Sequence, residues 1–139
     1  MSGRAASAMP LVRGVALLLL CAAYLQGGFD KAMDFDAAIA EMQHFGLAPA
    51  APLALAVIGL ELAAAASILC DVKRWAGALV LAGFTFAANL VANRYWQLAP
   101  PGRAMAANAF FEHLGLAGGF LLVAWQDLRE RQAAHRSPG

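Results

Sequence analysis

Hydrophobic residues run almost unbroken through four stretches of the chain, residues 11–29, 52–70, 75–93 and 107–125, and the polar residues collect between them. At about 1.5 Å per residue each stretch makes a helix about 28 Å long, which matches the hydrocarbon core of a bilayer. A helix of a soluble bundle carries a polar stripe opposite its apolar face. Residues 53–60 and 76–88 carry no such stripe. The pattern predicts an all-α protein, a four-transmembrane-helix antiparallel bundle with both termini on one side of the membrane.

The connections have patterns of their own. Phe35, Ile39, Met42 and Phe45 recur at helical spacing between the first two spans, Asp34 or Asp36 is placed to cap, and Gly46 followed by Pro49 marks a stop. A short amphipathic helix on the outer membrane surface fits. It reads as an interfacial connector, and a lid over the bundle is its functional alternative. Residues 94–106 hold Pro100, Pro101 and Gly102 and form a turn region. Residues 71–74 are so few that the second and third helices must be neighbours. The chain thus divides into an N-terminal segment at 1–10, a membrane domain at 11–125 and a polar tail at 126–139.

Composition supports the membrane reading. Of 139 residues 61% are hydrophobic and only 14% charged, with mean hydropathy +0.60, against about 25% charged residues in soluble domains. The formal net charge of +1 excludes a general affinity for nucleic acid. The lipid bilayer is the first partner. Arg4, Arg13, Lys73, Arg74, Arg129, Arg131 and Arg136 fall on the terminal side, and Lys31, Arg94 and Arg103 on the other, so the positive-inside rule makes both termini cytoplasmic. Trp75 and Trp125 then sit at cytoplasmic helix ends and Tyr95 and Trp96 at an outer end, as aromatic belts require. The first span also follows Arg4 and Arg13 as a signal peptide would, but no small-x-small cleavage site follows it, which favours an uncleaved helix.

Depth along the helices groups the polar residues. Tyr24 and Gln26 come late in the first span, Asn89 and Asn93 late in the third, and Glu112 and His113 early in the fourth, all in the outer half, with Glu61 near the midplane. A carboxylate at that depth is costly and must face a partner or a cavity. Asn89 and Asn93 share a helical face, where two amides can hydrogen-bond a carboxylate or a bound polar group. The plainer alternative is that these residues join helices, at about 0.6 kcal/mol per contact. Gly115 with Gly119, and Gly59 with Ala63, are small-residue pairs suited to helix packing.

Catalytic and cofactor chemistry is hard to assemble from this set. Cys21 lies about 15 Å into its helix and Cys70 at the end of another, so the two do not suit a disulfide or a redox pair. His44 and His135 fall outside the spans, which leaves His113 alone and excludes a bis-histidine haem. Glu112 and His113 are adjacent and point about 100° apart, so with Glu61 they make a poor metal site. No catalytic residue, metal or cofactor is predicted.

In chain order, Arg13, Gly28-Phe29-Asp30-Lys31 with Phe35, Phe45-Gly46-Leu47-Ala48-Pro49, Glu61 and Gly118-Gly119-Phe120-Leu121-Leu122 resemble the DoxX family of small bacterial membrane proteins over residues 13–124. Leu62 and Ala63 replace small glycines usual there, and Asn89 stands near a frequent histidine position. The resemblance implies a plasma-membrane protein that accompanies an oxidoreductase as a non-catalytic subunit, near quinone or in thiol, thiosulfate or oxidative-stress chemistry. An oxidoreductase partner and a homo-oligomer are the protein partners it admits. A carrier or binding protein for a small apolar molecule, using the outer-leaflet cluster, and a purely structural membrane protein are the alternatives.

Overall fold

Apolar runs long enough to cross a bilayer satisfy their backbone hydrogen bonds internally, and the computed structural model, which describes residues 2–136 with side chains from Met9 onward, is helical along each of them. Its elements are α1 (Ser2–Met33), α2 (Phe35–His44), α3 (Ala50–Leu69), α4 (Arg74–Ala92), a short 3-10 turn (Tyr95–Gln97) and α5 (Gly102–Arg136). Among the described residues there is no strand. Four helices among the described residues are long and apolar enough to span a membrane, and they carry their large exposed side chains, Leu18, Leu19, Leu55, Val80, Phe86, Leu121 and Leu122 among them, on outward faces. In water such a surface would aggregate; in a bilayer it is solvated. The chain is a multi-pass membrane helix bundle. The Arg4 side chain and residues 137–139 lie outside the described residues.

The turn chemistry explains how α2 is held. Asp34 closes α1 through its backbone N–H on the Asp30 carbonyl (3.0 Å) and caps α2, its Oδ1 accepting from the Ala37 N–H at 3.0 Å. α2 stops at Gly46, whose φ of +69° suits glycine. The Gly46 N–H donates to the Gln43 carbonyl (2.9 Å) and the Leu47 N–H to the Met42 carbonyl (2.8 Å), a Schellman closure. The apolar face of α2 buries Ala38 and Met42 against Ala54 of α3. α2 is thereby pinned onto the bundle.

Around the bundle α1 packs on α3, α3 on α4 and α4 on α5, while α5 meets α1 along a thinner seam. The core is Leu17, Cys21 and Tyr24 of α1, Ala64, Ala65 and Ile68 of α3, Ala78, Leu81 and Ala82 of α4, and Phe120 and Ala124 of α5. Close approach rests on glycines other than most of those predicted. A Cβ on Gly28 would lie 2.9 Å from Leu62, and one on Gly77 would lie 2.8 Å from the Ala64 carbonyl. Gly119 meets Leu20, but Gly115 and Gly59 face open space, so neither predicted pair forms a seam. Those positions turn outward, where a small residue brings no helix closer. Both cysteines are free thiols, Cys21 buried and Cys70 exposed.

The boundary drawn at Trp125 marks no break in α5, which continues to Arg136. Just beyond it Asp127 is buried and accepts from the Trp75 N–H (3.1 Å) in the first turn of α4 and from Arg131 Nε (2.8 Å). A carboxylate there is favoured by the partial positive charge of the helix start. Arg74 Nε donates to the Ile68 carbonyl at 2.8 Å, and its guanidinium pairs with Asp71 at 3.1 Å. Arg13 pairs with Glu130 at 2.9 Å and ties α1 to α5. This charged clasp holds one end of the bundle, and the opposite end, under α2, is hollow.

Candidate functional site

The hollow is a cavity of about 400 Å³ enclosed by late α1, α2, early α3, late α4 and early α5. Its walls are mainly apolar, with Met42, Phe45, Leu47, Val57, Phe84 and Leu116 among them. Ala88 and Ala92 leave room on the α4 side.

Five predicted residues meet there: Tyr24, Glu61, Asn89, Asn93 and His113. Gln26 and Glu112 do not. Gln26 lies two positions, about 200°, round the helix from Tyr24, and it bonds Asp30 on the exposed side of α1. Glu112 is exposed for the same reason, next to His113 but turned away from it.

The partner of Glu61 is not an amide. Lys31 Nζ lies 3.4 Å from Glu61 Oε2 and 4.0 Å from Glu41 Oε2 of α2. The sequence reading counts Lys31 among the charges of an outer connection; α1 in fact runs one turn past Phe29 and carries Lys31 back under α2. Tyr24, Gly27, Gly28 and Lys31 then share one face at helical spacing. That spacing was the available signal. A Cβ on Gly27 would stand 3.5 Å from Lys31 Nζ and 3.8 Å from Glu61 Oε1, at ordinary contact distance, which places the pair against this face of α1. The ion pair therefore lies over bare backbone.

The asparagines bond elsewhere. Asn89 Nδ2 donates to the Phe110 carbonyl and Asn93 Nδ2 to Asn89 Oδ1, each at 2.9 Å. Asn89 is buried, and its amide is spent on a backbone carbonyl of α5 rather than on Glu61. Thr85, one turn before Asn89, is a wall residue that the sequence reading passed over. Its hydroxyl donates to the Leu81 carbonyl at 2.6 Å, so Tyr24 must be the donor in the Tyr24–Thr85 bond. That bond joins α1 to α4 across the bundle, and Tyr24 also meets Phe120 edge to face at 5.2 Å. His113 Nδ1 lies 2.6 Å from the Ala109 carbonyl. Tyr95, Trp96, Phe110 and Phe111, none of them a wall residue, form an aromatic cluster of the kind found at membrane interfaces.

The arrangement suits binding. Pockets for small ligands are apolar with a few placed polar groups, typically about 300–1,000 Å³. Here mainly apolar walls carry one paired ammonium, two carboxylates, a phenol, a hydroxyl, two amides and an imidazole.

The family model described as DoxX matches residues 14–94. That segment contains every polar wall residue named above except His113, and the Gly118–Leu122 part of the resemblance lies beyond it. No curated protein and no solved structure matches the chain.

Proposed function

The chain belongs to the DoxX family, and from that membership together with the cavity we propose that it is an auxiliary, non-catalytic membrane subunit that holds a small, mostly apolar molecule for an oxidoreductase partner. A quinone-class molecule fits the reading. Its ring and tail would occupy the apolar walls, and its polar end would meet Lys31, Glu61 and Tyr24. The observation that carries the proposal is the cavity, whose mainly apolar walls carry a small set of polar side chains. The helices run antiparallel in the bacterial plasma membrane with both termini cytoplasmic, a reading supported by the seven basic residues on the terminal side against three on the other. The cavity then opens in the outer half of the bilayer, where a membrane-dissolved molecule has access. α2 acts as its roof.

The test is to purify the protein from its membranes in mild detergent, extract it with organic solvent and identify the extract by mass spectrometry. A quinone-class molecule should accompany the wild type at near-stoichiometric amount and be lost from Ala88→Trp, which fills the cavity. Crosslinking before extraction should recover an oxidoreductase subunit. Equal amounts in both proteins, or none in either, would overturn the cavity reading; absence of any redox partner in the crosslinked material would overturn the auxiliary role.

A further inference from the structure

We infer that the cavity is built for a neutral head group bearing hydroxyls, a phenol or quinol on an apolar body, in preference to a head that only accepts hydrogen bonds. The inference rests on the binding reading above and narrows its ligand class.

Protein partners already use most donors in the wall. The Tyr24 proton goes to Thr85 and the Thr85 proton to the Leu81 carbonyl, which leaves the Tyr24 oxygen only an acceptor. A carbonyl can only accept, so the contact between His113 Nδ1 and Ala109 puts the proton on Nδ1. In that tautomer Nε2 carries no proton and accepts. Glu61 engages Lys31 through Oε2, and among the described residues no donor meets its Oε1. The unspent donors are two N–H groups of Lys31, which approaches Glu41 only at 4.0 Å, and one amide proton each of Asn89 and Asn93.

A hydroxyl matches both sets. Its proton can go to Glu61, Tyr24 or His113 while its oxygen accepts from Lys31 or Asn93. A quinone carbonyl or an ether offers acceptors alone and would leave a buried carboxylate oxygen stripped of water with no donor, which is costly. A carboxylate head does worse. The site already holds Glu41 and Glu61 against the single Lys31, so a third anion would be repelled. An ammonium head carries donors alone and would leave the unspent N–H groups of Lys31, Asn89 and Asn93 without an acceptor. The neutral hydroxyl remains.

The experiment is calorimetric titration of the protein in lipid nanodiscs, corrected against empty discs, with 4-hexylresorcinol, its dimethyl ether and nonanoate. The diphenol should bind at least about tenfold tighter than the ether, since a hydrogen bond to a charged acceptor is worth that much, and nonanoate should bind weakest. Glu61→Leu should bring the diphenol down to the affinity of the ether. His113→Phe supplies a second variant, expected to narrow the same ratio, if Glu61→Leu does not accumulate. Ether or nonanoate binding as tight as the diphenol, or a diphenol-to-ether ratio unmoved in both variants, would overturn the inference and leave the cavity reading standing. Failure of all three compounds to bind would overturn both.

Discussion

Lys31→Met removes the partner of a carboxylate that lies inside the bundle, and the size of its effect can be worked from the contacts. The Glu61 and Lys31 side chains keep only 8% and 19% of their surface exposed. Removing one member of a fully buried ion pair costs about 3–5 kcal/mol, mostly because the other charge is left without compensation. Here the ammonium is partly exposed and the 3.4 Å separation is long for a charge-assisted bond, so a loss of about 2 kcal/mol is expected. For a chain of 139 residues that corresponds to a fall of about 6–10 °C in Tm. The assay is thermal unfolding in mild detergent followed by size-exclusion chromatography. The double variant Lys31→Met with Glu61→Leu should return to within about 1 kcal/mol of wild type, because an apolar pair replaces an ionic one. Glu41→Gln, at 4.0 Å and well exposed, should not move Tm measurably. A Lys31→Met protein as stable as wild type, or a double variant no more stable than the single one, would refute the argument that Lys31 is what makes Glu61 tolerable at this depth.

Gly77→Ala should lower Tm, because its Cβ would lie 2.8 Å from the backbone carbonyl of Ala64 and overpacking costs about 1–3 kcal/mol; Gly115→Ala, which meets open space, should hold or raise it through helix propensity. Equal shifts in the two would contradict the packing described. An alkaline phosphatase reporter fused after Pro101 should be active and one fused at the C-terminus inactive; the reverse pattern would invert the orientation and move the cavity to the inner leaflet. Cys70, exposed at the end of α3, should react with a polar maleimide added to inverted vesicles, whereas buried Cys21 should not, and equal labelling would show that water reaches the core.

The four spans and the surface helix with its Asp34 cap and Gly46 stop were legible because they depend on local properties: length, hydropathy and turn chemistry act within a few residues of one another. Depth arithmetic likewise grouped Tyr24, Asn89, Asn93 and His113 in the outer half with Glu61 near the midplane, since rise per residue is constant along a helix. Which way each side chain faces is another matter, and it separated Gln26 and Glu112 from the group. In a soluble helix a polar stripe reveals the outward face, but here the outward face is as apolar as the core, and rotation about the axis is set only by packing against neighbours. The same ambiguity hid Gly28 and Gly77 behind the more conspicuous Gly115 and Gly119. Lys31 escaped because its role depends on α1 continuing one turn past its apolar run and on α3 carrying Glu61 to the same depth, 30 residues later. An ion pair between two helices belongs to neither helix's sequence, and only their packing brings the charges together.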